Sequence, residues 1–286
     1  MKVLVTGANG QLGQEFQALQ DAHPALQFVF VSKERLDIAD AEAVEKTFSE
    51  IQPDYCINCA AYTAVDKAEG DEAMAHRINA DGTKYLAEIC HKQAVRFIHI
   101  STDYVFNGDG EKPYVEDEST SPIGVYGASK LDGEKFVQQV NNNAVIIRTS
   151  WVFSAFGNNF VKTMLRLMPV KEALNVVSDQ QGCPTYAADL ATAIAAIINS
   201  GKWEPGIFHF SNSNCTTWFE FATAIKEHCR FACTVHPITT DQYPTPARRP
   251  KYSVLNTQKI QSVYNLSIRD WKPALAECLQ KLNCTA

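Results

Sequence analysis

The sequence predicts an α/β protein: a Rossmann-like, doubly wound parallel sheet joined to a smaller α/β lobe. Three observations predict it. Strand-like and helix-like segments alternate over the first 150 residues, the pattern of a parallel sheet with helices on both faces. The strand-like segments are nearly continuous apolar runs, such as Arg96-Phe97-Ile98-His99-Ile100 and Ala144-Val145-Ile146-Ile147, as expected for a sheet covered on both sides. The first strand also runs straight into Gly7-Ala8-Asn9-Gly10-Gln11-Leu12-Gly13, a turn that permits close backbone approach.

Strands are expected at 2–6, 27–31, 54–59, 95–100 and 144–148, with helices at 11–20, 41–51, 71–92 and 129–140. After Trp151 the alternation loosens. Helices are expected at 157–168, 187–199, 216–229 and 270–283, and short strands near 174–177, 206–210 and 234–238. Residues 1–150 are therefore expected to form a dinucleotide-binding domain, to which segments near 174–199 and 234–260 return. Residues 151–286 are expected to form mainly a second, substrate-binding lobe.

Composition narrows the class. A chain of 286 residues suits one large α/β domain or two smaller lobes. Its 45% hydrophobic and 20% charged residues are ordinary for a globular protein. The net charge of −6 argues against a nucleic-acid binder, which needs a basic face. No apolar run nears the ~18 residues of a membrane helix. A strand beginning at Lys2 leaves no room for an export signal, so a cytoplasmic protein with reduced thiols is expected. Of nine scattered cysteines, Cys56 and Cys59 form a C-x-x-C inside an expected strand. Residues three apart on a strand face opposite sides, so this pair is read as packing rather than a redox or zinc site. The seven histidines show no metal-ligand spacing, and no catalytic metal is expected.

The glycine turn carries the first functional signal. A tight strand-to-helix junction needs residues without a Cβ, so that a pyrophosphate can approach backbone N–H groups and the helix can pack against the strand. The helix N-terminus adds free N–H groups and a partial positive charge. Gly7, Asn9, Gly10, Gln11, Leu12 and Gly13 are therefore expected to bind a dinucleotide. The G-x-x-G-x-x-G spacing resembles the extended short-chain dehydrogenase/reductase superfamily. There, an acid or a base near the end of the second strand selects NAD or NADP. Here Glu34 suits a ribose 2′-hydroxyl and Lys33 or Arg35 a 2′-phosphate, so NADH and NADPH both stay open. Asp37-Ile38 resembles the superfamily's adenine-side contact, though Asp37 also suits a helix cap. Ala60, Ala61 and Tyr62 end a strand where a second loop should line the cofactor.

Tyr126 and Lys130 carry the second signal. They are i and i+4 at the start of an expected helix and project from one face. A free phenol titrates near 10, and a neighbouring ammonium is expected to lower that value. Tyr126 can then give a proton to a carbonyl oxygen as hydride reaches the carbon. Thr102 is expected in a loop just past a strand, at the edge where open α/β sheets bind ligands. Its hydroxyl can hold the same oxygen. Thr102, Tyr126 and Lys130 are the candidate catalytic group, with Tyr126 and Lys130 also touching the cofactor.

A closer resemblance spans nearly the whole chain. Ser101-Thr102-Asp103-Tyr104-Val105-Phe106-Asn107-Gly108 and Tyr126-Gly127-Ala128-Ser129-Lys130 resemble the dTDP-4-dehydrorhamnose reductase family. So do Ala60-Ala61-Tyr62-Thr63-Ala64-Val65-Asp66, Arg148-Thr149-Ser150-Trp151, Asp179-Gln180-Gln181-Gly182-Cys183-Pro184-Thr185 and Arg248-Arg249-Pro250. The resemblance implies reduction of the C4 ketone of dTDP-4-dehydro-β-L-rhamnose by NADPH or NADH, the last step in making dTDP-L-rhamnose. It implies that Thr63, Val65, Thr102, Asp103, Tyr104 and Trp151 contact the substrate. Arg249, with Asn159 as a weaker candidate, would sit on the nucleotide-diphosphate side, where a guanidinium fork suits phosphate oxygens; a surface ion pair for Arg249 and packing between lobes for Trp151 are the alternatives. Some family members are described as binding Mg²⁺ at a dimer contact through glutamates. Pro184-Thr185-Tyr186-Ala187-Ala188-Asp189 has no glutamate, so monomer and homodimer both stay open.

Two other readings share this scaffold. A sugar-nucleotide epimerase or dehydratase would use the same Tyr126 and Lys130 but retain and recycle NAD. Dehydratases place an acid after the threonine and a glutamate after that acid; here Asp103 is followed by Tyr104. A non-catalytic binding subunit would have no need of the Thr102, Tyr126 and Lys130 set.

Overall fold

The apolar runs become parallel strands. The computed structural model describes residues 1–284 and gives β1 (Lys2–Thr6), β2 (Gln27–Val31), β3 (Tyr55–Asn58), β4 (Arg96–Thr102) and β5 (Val145–Thr149). Between them lie α1 (Gln11–Leu19), α2 (Ala41–Ile51), α3 (Val65–Ala68), α4 (Glu72–His76), α5 (Thr83–Lys92) and α6 (Val125–Val140). Short strands β6 (Val152–Phe153), β7 (Ala173–Val177), β8 (Gln181–Gly182) and β9 (Thr185–Tyr186) follow, and β10 (Gly206–His209) returns to the sheet. The sheet order is β10-β5-β4-β3-β1-β2, with every pairing parallel. The chain steps outward from β1 to β2, then back past β1 to β3. That reversal opens a crevice at the carboxyl ends of β1 and β3, the usual ligand site of such sheets.

Strand period sorts the apolar side chains into two cores. Val3, Val5, Ile57, Ile98, Val145 and Ile147 point to one face, and Leu4, Cys56, Phe97 and Ile146 to the other. Cys59 packs against the first core and Cys56 lies in the second, so the sheet itself separates the C-x-x-C pair. The second face is covered by Val44 and Phe48 of α2 and Leu86 and Cys90 of α5.

The rest of the chain supplies α7 (Phe160–Leu167), α8 (Ala187–Asn199), β11 (Thr216–Thr217), α9 (Trp218–His228), β12 (Thr234–Ile238), α10 (Gln258–Tyr264) and α11 (Trp271–Lys281). Leu190, Ile194 and Ile197 of α8 join the first core, as does Ile260 of α10. β7 and β12 pair with each other outside the main sheet. A third core encloses Phe153, Tyr186, Phe221, Trp271 and Leu275. Asp40, Asn159, Thr217 and Asp270 cap α2, α7, α9 and α11 through their side chains, each satisfying N–H groups that a helix start leaves free.

Several expectations need correction. The helix holding Tyr126 begins at Val125 rather than 129, after Gly124 in extended conformation. The helix expected over 71–92 is interrupted by a π-helical segment, Arg77–Gly82. That segment turns Asn79 to bracket Tyr62: the Tyr62 amide donates to Asn79 Oδ1, and Asn79 Nδ2 donates to the Tyr62 carbonyl and to Ser129 Oγ. The short helices α3 and α10 had no clear sequence signal. Reduced thiols were expected throughout, but Cys229 and Cys284 form a disulfide. They follow α9 and α11, whose packing brings the two Cα atoms to 5.6 Å, within disulfide range.

One buried ion pair fixes α6 against the sheet. Arg148 on β5 donates to both carboxylate oxygens of Glu134, at 2.9 Å from Nε to Oε1 and 2.7 Å from NH2 to Oε2. The side chains are only 3% and 1% exposed, and Ser101 donates to the same carboxylate. Arg148→Met leaves Glu134 buried without its partner and is expected to cost about 3–5 kcal/mol. Adding Glu134→Leu should recover most of that loss. Urea titration of the single and double variants measures both effects.

Candidate active site

At the end of β1, Gly7 adopts φ +65°, and a Cβ there would stand 2.6 Å from the Ala60 amide nitrogen. A Cβ on Gly13 would stand 2.5 Å from the Gly7 carbonyl oxygen. The three chain segments therefore touch backbone to backbone. Gly10 precedes α1 in extended conformation, with no side-chain cap and no acidic residue in the first turn. The helix start is thus open and free of negative charge, which fits a pyrophosphate. Asn9, Gly10, Gln11 and Leu12 line a cleft of about 1060 Å³ there, and Lys33, Glu34, Asp37 and Ile38 line it beyond. Asp37 accepts from the Ala39 amide while Asp40 caps α2, so the helix-cap alternative for Asp37 is set aside. Ala60, Ala61 and Tyr62 close the facing wall.

The catalytic candidates meet at the same edge. Thr102 is the last residue of β4 rather than a loop residue, and it is buried. Its hydroxyl donates to Asp103 Oδ1 at 3.1 Å and accepts from the Tyr104 amide at 3.2 Å. Tyr126 and Lys130 rise from the first turns of α6 into the cleft. Tyr104 packs edge-on against Tyr126, with centroids 5.5 Å apart.

The electrostatics differ from expectation. Tyr126 presents its ring to the cleft, yet burial pushes its phenol up to about 12, with Thr102 opposing and Asp103 adding to the rise. Lys130 does not bring it down. Its Nζ turns instead to the Ile100 carbonyl, at 2.7 Å, and lies 3.3 Å from His99 Nε2. Burial lowers Lys130 to about 8 against the pull of Glu134 and Cys59. Burial also raises Asp103 to about 7. Its Oδ2 has no hydrogen-bond partner, and the nearby Ser253 hydroxyl meets the Gln181 carbonyl instead.

Thr63, Val65, Asp103, Tyr104 and Trp151 line the other end of the cleft. Gly13, Arg35, Asn159 and Arg249, all named as candidates, do not line it. Gly13 packs beneath the turn, as its contacts require. Arg249 spends its fork on Asp66, at 2.8 Å to each carboxylate oxygen, and holds that carboxyl below its usual range. It still lies close enough to Tyr104 to act on its phenol. Asn159 is likewise occupied, capping α7 and donating to Gln11 Oε1 at 2.9 Å. Trp218 was missed: it stacks on Trp151 at 3.6 Å, nearly parallel, and lines the cleft. Gly182 leaves room for the Trp151 ring, which a Cβ there would meet at 2.5 Å. Gly157 was also missed; at φ +64° it lays its loop against Gln11.

A parallel sheet with a glycine junction at β1, a threonine ending β4 and a Tyr-x-x-x-Lys face on the next helix defines an extended short-chain dehydrogenase/reductase. The family model described as the RmlD substrate binding domain matches residues 1–284. The chain belongs to that family, and several of its curated relatives are named dTDP-4-dehydrorhamnose reductase. It is 40% identical to dTDP-4-dehydrorhamnose reductase of Escherichia coli, over 100% of this chain and 99% of that protein. It is 42% identical to the spore coat polysaccharide biosynthesis protein SpsK of Bacillus subtilis, over 98% and 97%. Among solved structures, the Bacillus anthracis dTDP-4-dehydrorhamnose reductase in complex with NADP superposes with a TM-score of 0.93 at 38% identity, covering 98% of this chain and 99% of that one. The Thermus thermophilus UDP-glucose 4-epimerase superposes with a TM-score of 0.81 at 21% identity, covering 99% of both chains, and shares the fold alone.

Two measurements test this geometry. Gly13→Ala forces a Cβ onto backbone that cannot yield, so the NADPH dissociation constant should rise at least about tenfold; fluorescence titration reads it. Asp103 is raised in the folded state, so its protonated form stabilises the fold. That stability is present below the ordinary carboxyl value of 3.8 and is lost as pH climbs towards about 7. Asp103→Asn should therefore gain on the unsubstituted protein in thermal melts as pH rises across that window, by on the order of 1 kcal/mol.

Proposed function

We propose that the chain reduces the C4 ketone of dTDP-4-dehydro-β-L-rhamnose to dTDP-L-rhamnose, with NADPH or NADH as reductant. The observation that carries this reading is the meeting of Thr102, Tyr126 and Lys130 beside the open start of α1, in a chain of this family. Bound there, the reduced nicotinamide supplies a hydride. Gly7, Asn9, Gly10, Gln11 and Leu12 bind the pyrophosphate, Asp37 and Ile38 the adenine side, and Ala60, Ala61 and Tyr62 the facing side. Lys33 favours a 2′-phosphate and Glu34 a 2′-hydroxyl, which supports use of both cofactors.

Tyr126 gives its proton to the ketone oxygen. In the reductive direction the protonated phenol is the form required, and at about 12 it stays protonated throughout the neutral range. Thr102 orients the oxygen. Thr63, Val65, Asp103, Tyr104 and Trp151 receive the sugar nucleotide, with Trp151 braced by Trp218. Arg249 marks the diphosphate side and would exchange Asp66 for a phosphate. The neighbour of Asp103 is Tyr104, whose ring packs on Tyr126; no second acid stands there to drive elimination of water. No helix among the described residues is long and apolar enough to cross a membrane. The enzyme would act in the cytoplasm, where nucleotide sugars and reduced nicotinamide are made, as a monomer or homodimer.

Absorbance at the reduced-nicotinamide band tests the reading, with the sugar nucleotide generated in situ. One cofactor should be consumed per product, and Tyr126→Phe should lower kcat on the order of 10²-fold or more. Near-normal turnover by that variant would overturn the assignment.

A further inference from the structure

Behind the catalytic edge lies a buried polar chain that the reaction does not itself require. Asn58, His99 and Lys130 are 1%, 0% and 2% exposed. Every donor and acceptor in such a place needs a partner, and the partners fix its protons. The Ala60 amide can only donate, so the Asn58 atom 3.1 Å from it is the carbonyl oxygen. The Thr6 hydroxyl donates to that same oxygen at 2.7 Å. The Asn58 amide nitrogen is thereby turned to Thr83 Oγ1 at 3.4 Å and to His99 Nδ1 at 3.2 Å. An amide nitrogen only donates, so Nδ1 accepts and bears no hydrogen. The single hydrogen of a neutral imidazole then lies on Nε2, which stands 3.3 Å from Lys130 Nζ.

We infer that His99, held by Asn58 as the tautomer with its hydrogen on Nε2, is a positioning residue that turns a donor toward the Lys130 amine. The ring is neutral, since burial and the Lys130 charge drive its basicity well below the usual value. To an ammonium it therefore offers no acceptor; to a neutral amine it offers a hydrogen bond. The Ile100 carbonyl takes one ammonium hydrogen. The other titratable groups acting on Lys130 are Cys59 at the end of β3 and Glu134 on its own helix. Glu134 is tied to Arg148, and its pull and that of Cys59 only partly oppose the loss of the lysine proton.

The inference rests on the reductase reading for its use. When Tyr126 protonates the substrate oxygen, its own O–H bond breaks and a phenolate remains. Lys130 points away from that oxygen, so its proton reaches it through solvent: an N–H bond of the ammonium breaks, a water takes that proton and gives up one of its own, and the phenol O–H forms. The neutral amine then accepts the His99 Nε2 hydrogen bond until solvent returns the proton. His99 thus biases Lys130 toward release, where an acceptor at the same place would hold the proton back.

Nitrogen-15 NMR of the histidine rings in the full chain reads the tautomer without substrate, and His99→Gln identifies the His99 signals. The expected result is an Nε2–H ring that stays neutral from about pH 5 to 9. The second measurement is the pH profile of kcat. A glutamine amide at 99 can turn its oxygen to the ammonium, so the alkaline limb should move up by about one pH unit. At pH 9 the variant should then keep about fivefold more of its own plateau rate than the unsubstituted protein, with KM moved less. An Nδ1–H ring, or an unmoved limb, overturns the inference. If His99→Gln does not fold, through-bond assignment of the unsubstituted protein still decides the tautomer. An Nε2–H ring in a protein inactive on the sugar nucleotide would sink the reductase reading and leave the placement of His99 standing.

Discussion

Backbone contact among Gly7, Gly13 and Ala60 sets the geometry of the whole cleft. Any Cβ on Gly7 or Gly13 would fall under 3 Å from main-chain atoms, and main chain at a strand end cannot yield. The absence of those side chains lets α1 begin directly over the carboxyl ends of β1 and β3. That places an open helix start, with its unpaired N–H groups, at the point where the sheet changes direction. The second lobe is tied to this junction. Ser154 donates to the buried carboxyl of Glu15 on α1 at 2.6 Å, and Asn159 donates to Gln11. One wall of the cleft is therefore anchored to the helix that the glycines position.

The opposite wall is held by buried polar groups rather than by apolar packing alone. Glu134, Arg148 and Ser101 lock the middle of α6 to β4 and β5. One turn earlier, Lys130 reaches Ile100 and His99 on β4. Gly133 lets the π-helical turn approach, since a Cβ there would meet the Asn79 carbonyl at 2.3 Å. α6 is thus fixed on two sides, and Tyr126 in its first turn inherits that rigidity. Satisfied networks of this kind specify one geometry, whereas a partly satisfied one would be costly. The lone exception at the site is Asp103 Oδ2, buried without a partner where the sugar is proposed to bind.

Much of this was legible because it rests on short periods. Strand alternation divided Cys56 from Cys59, the glycine spacing marked the junction, and the i, i+4 interval put Tyr126 and Lys130 on one face. What escaped depends on contacts between distant segments. Arg249 and Asp66 are 183 residues apart, and nothing local shows that the guanidinium is already paired. Trp218 meets Trp151 only through the packing of α9 against β6 and α7. The direction of Lys130 was misread because the i, i+4 rule fixes a face, not the atom at the end of a long side chain. A carbonyl at the sheet edge and the His99 ring drew it inward, away from the role of lowering the Tyr126 phenol. The disulfide likewise joins residues 55 apart, whose proximity only the packing of α9 and α11 creates.

In the proposed reaction, hydride leaves the cofactor for good and arrives at the sugar's C4. The most direct test uses NADPH carrying deuterium at the transferable position of its nicotinamide C4, with dTDP-4-dehydro-β-L-rhamnose as acceptor and proton NMR of the product. One deuterium at sugar C4 and one oxidised cofactor released for each product formed are expected. A product with no deuterium at C4, or turnover with the nicotinamide retained and recycled, would contradict that reaction.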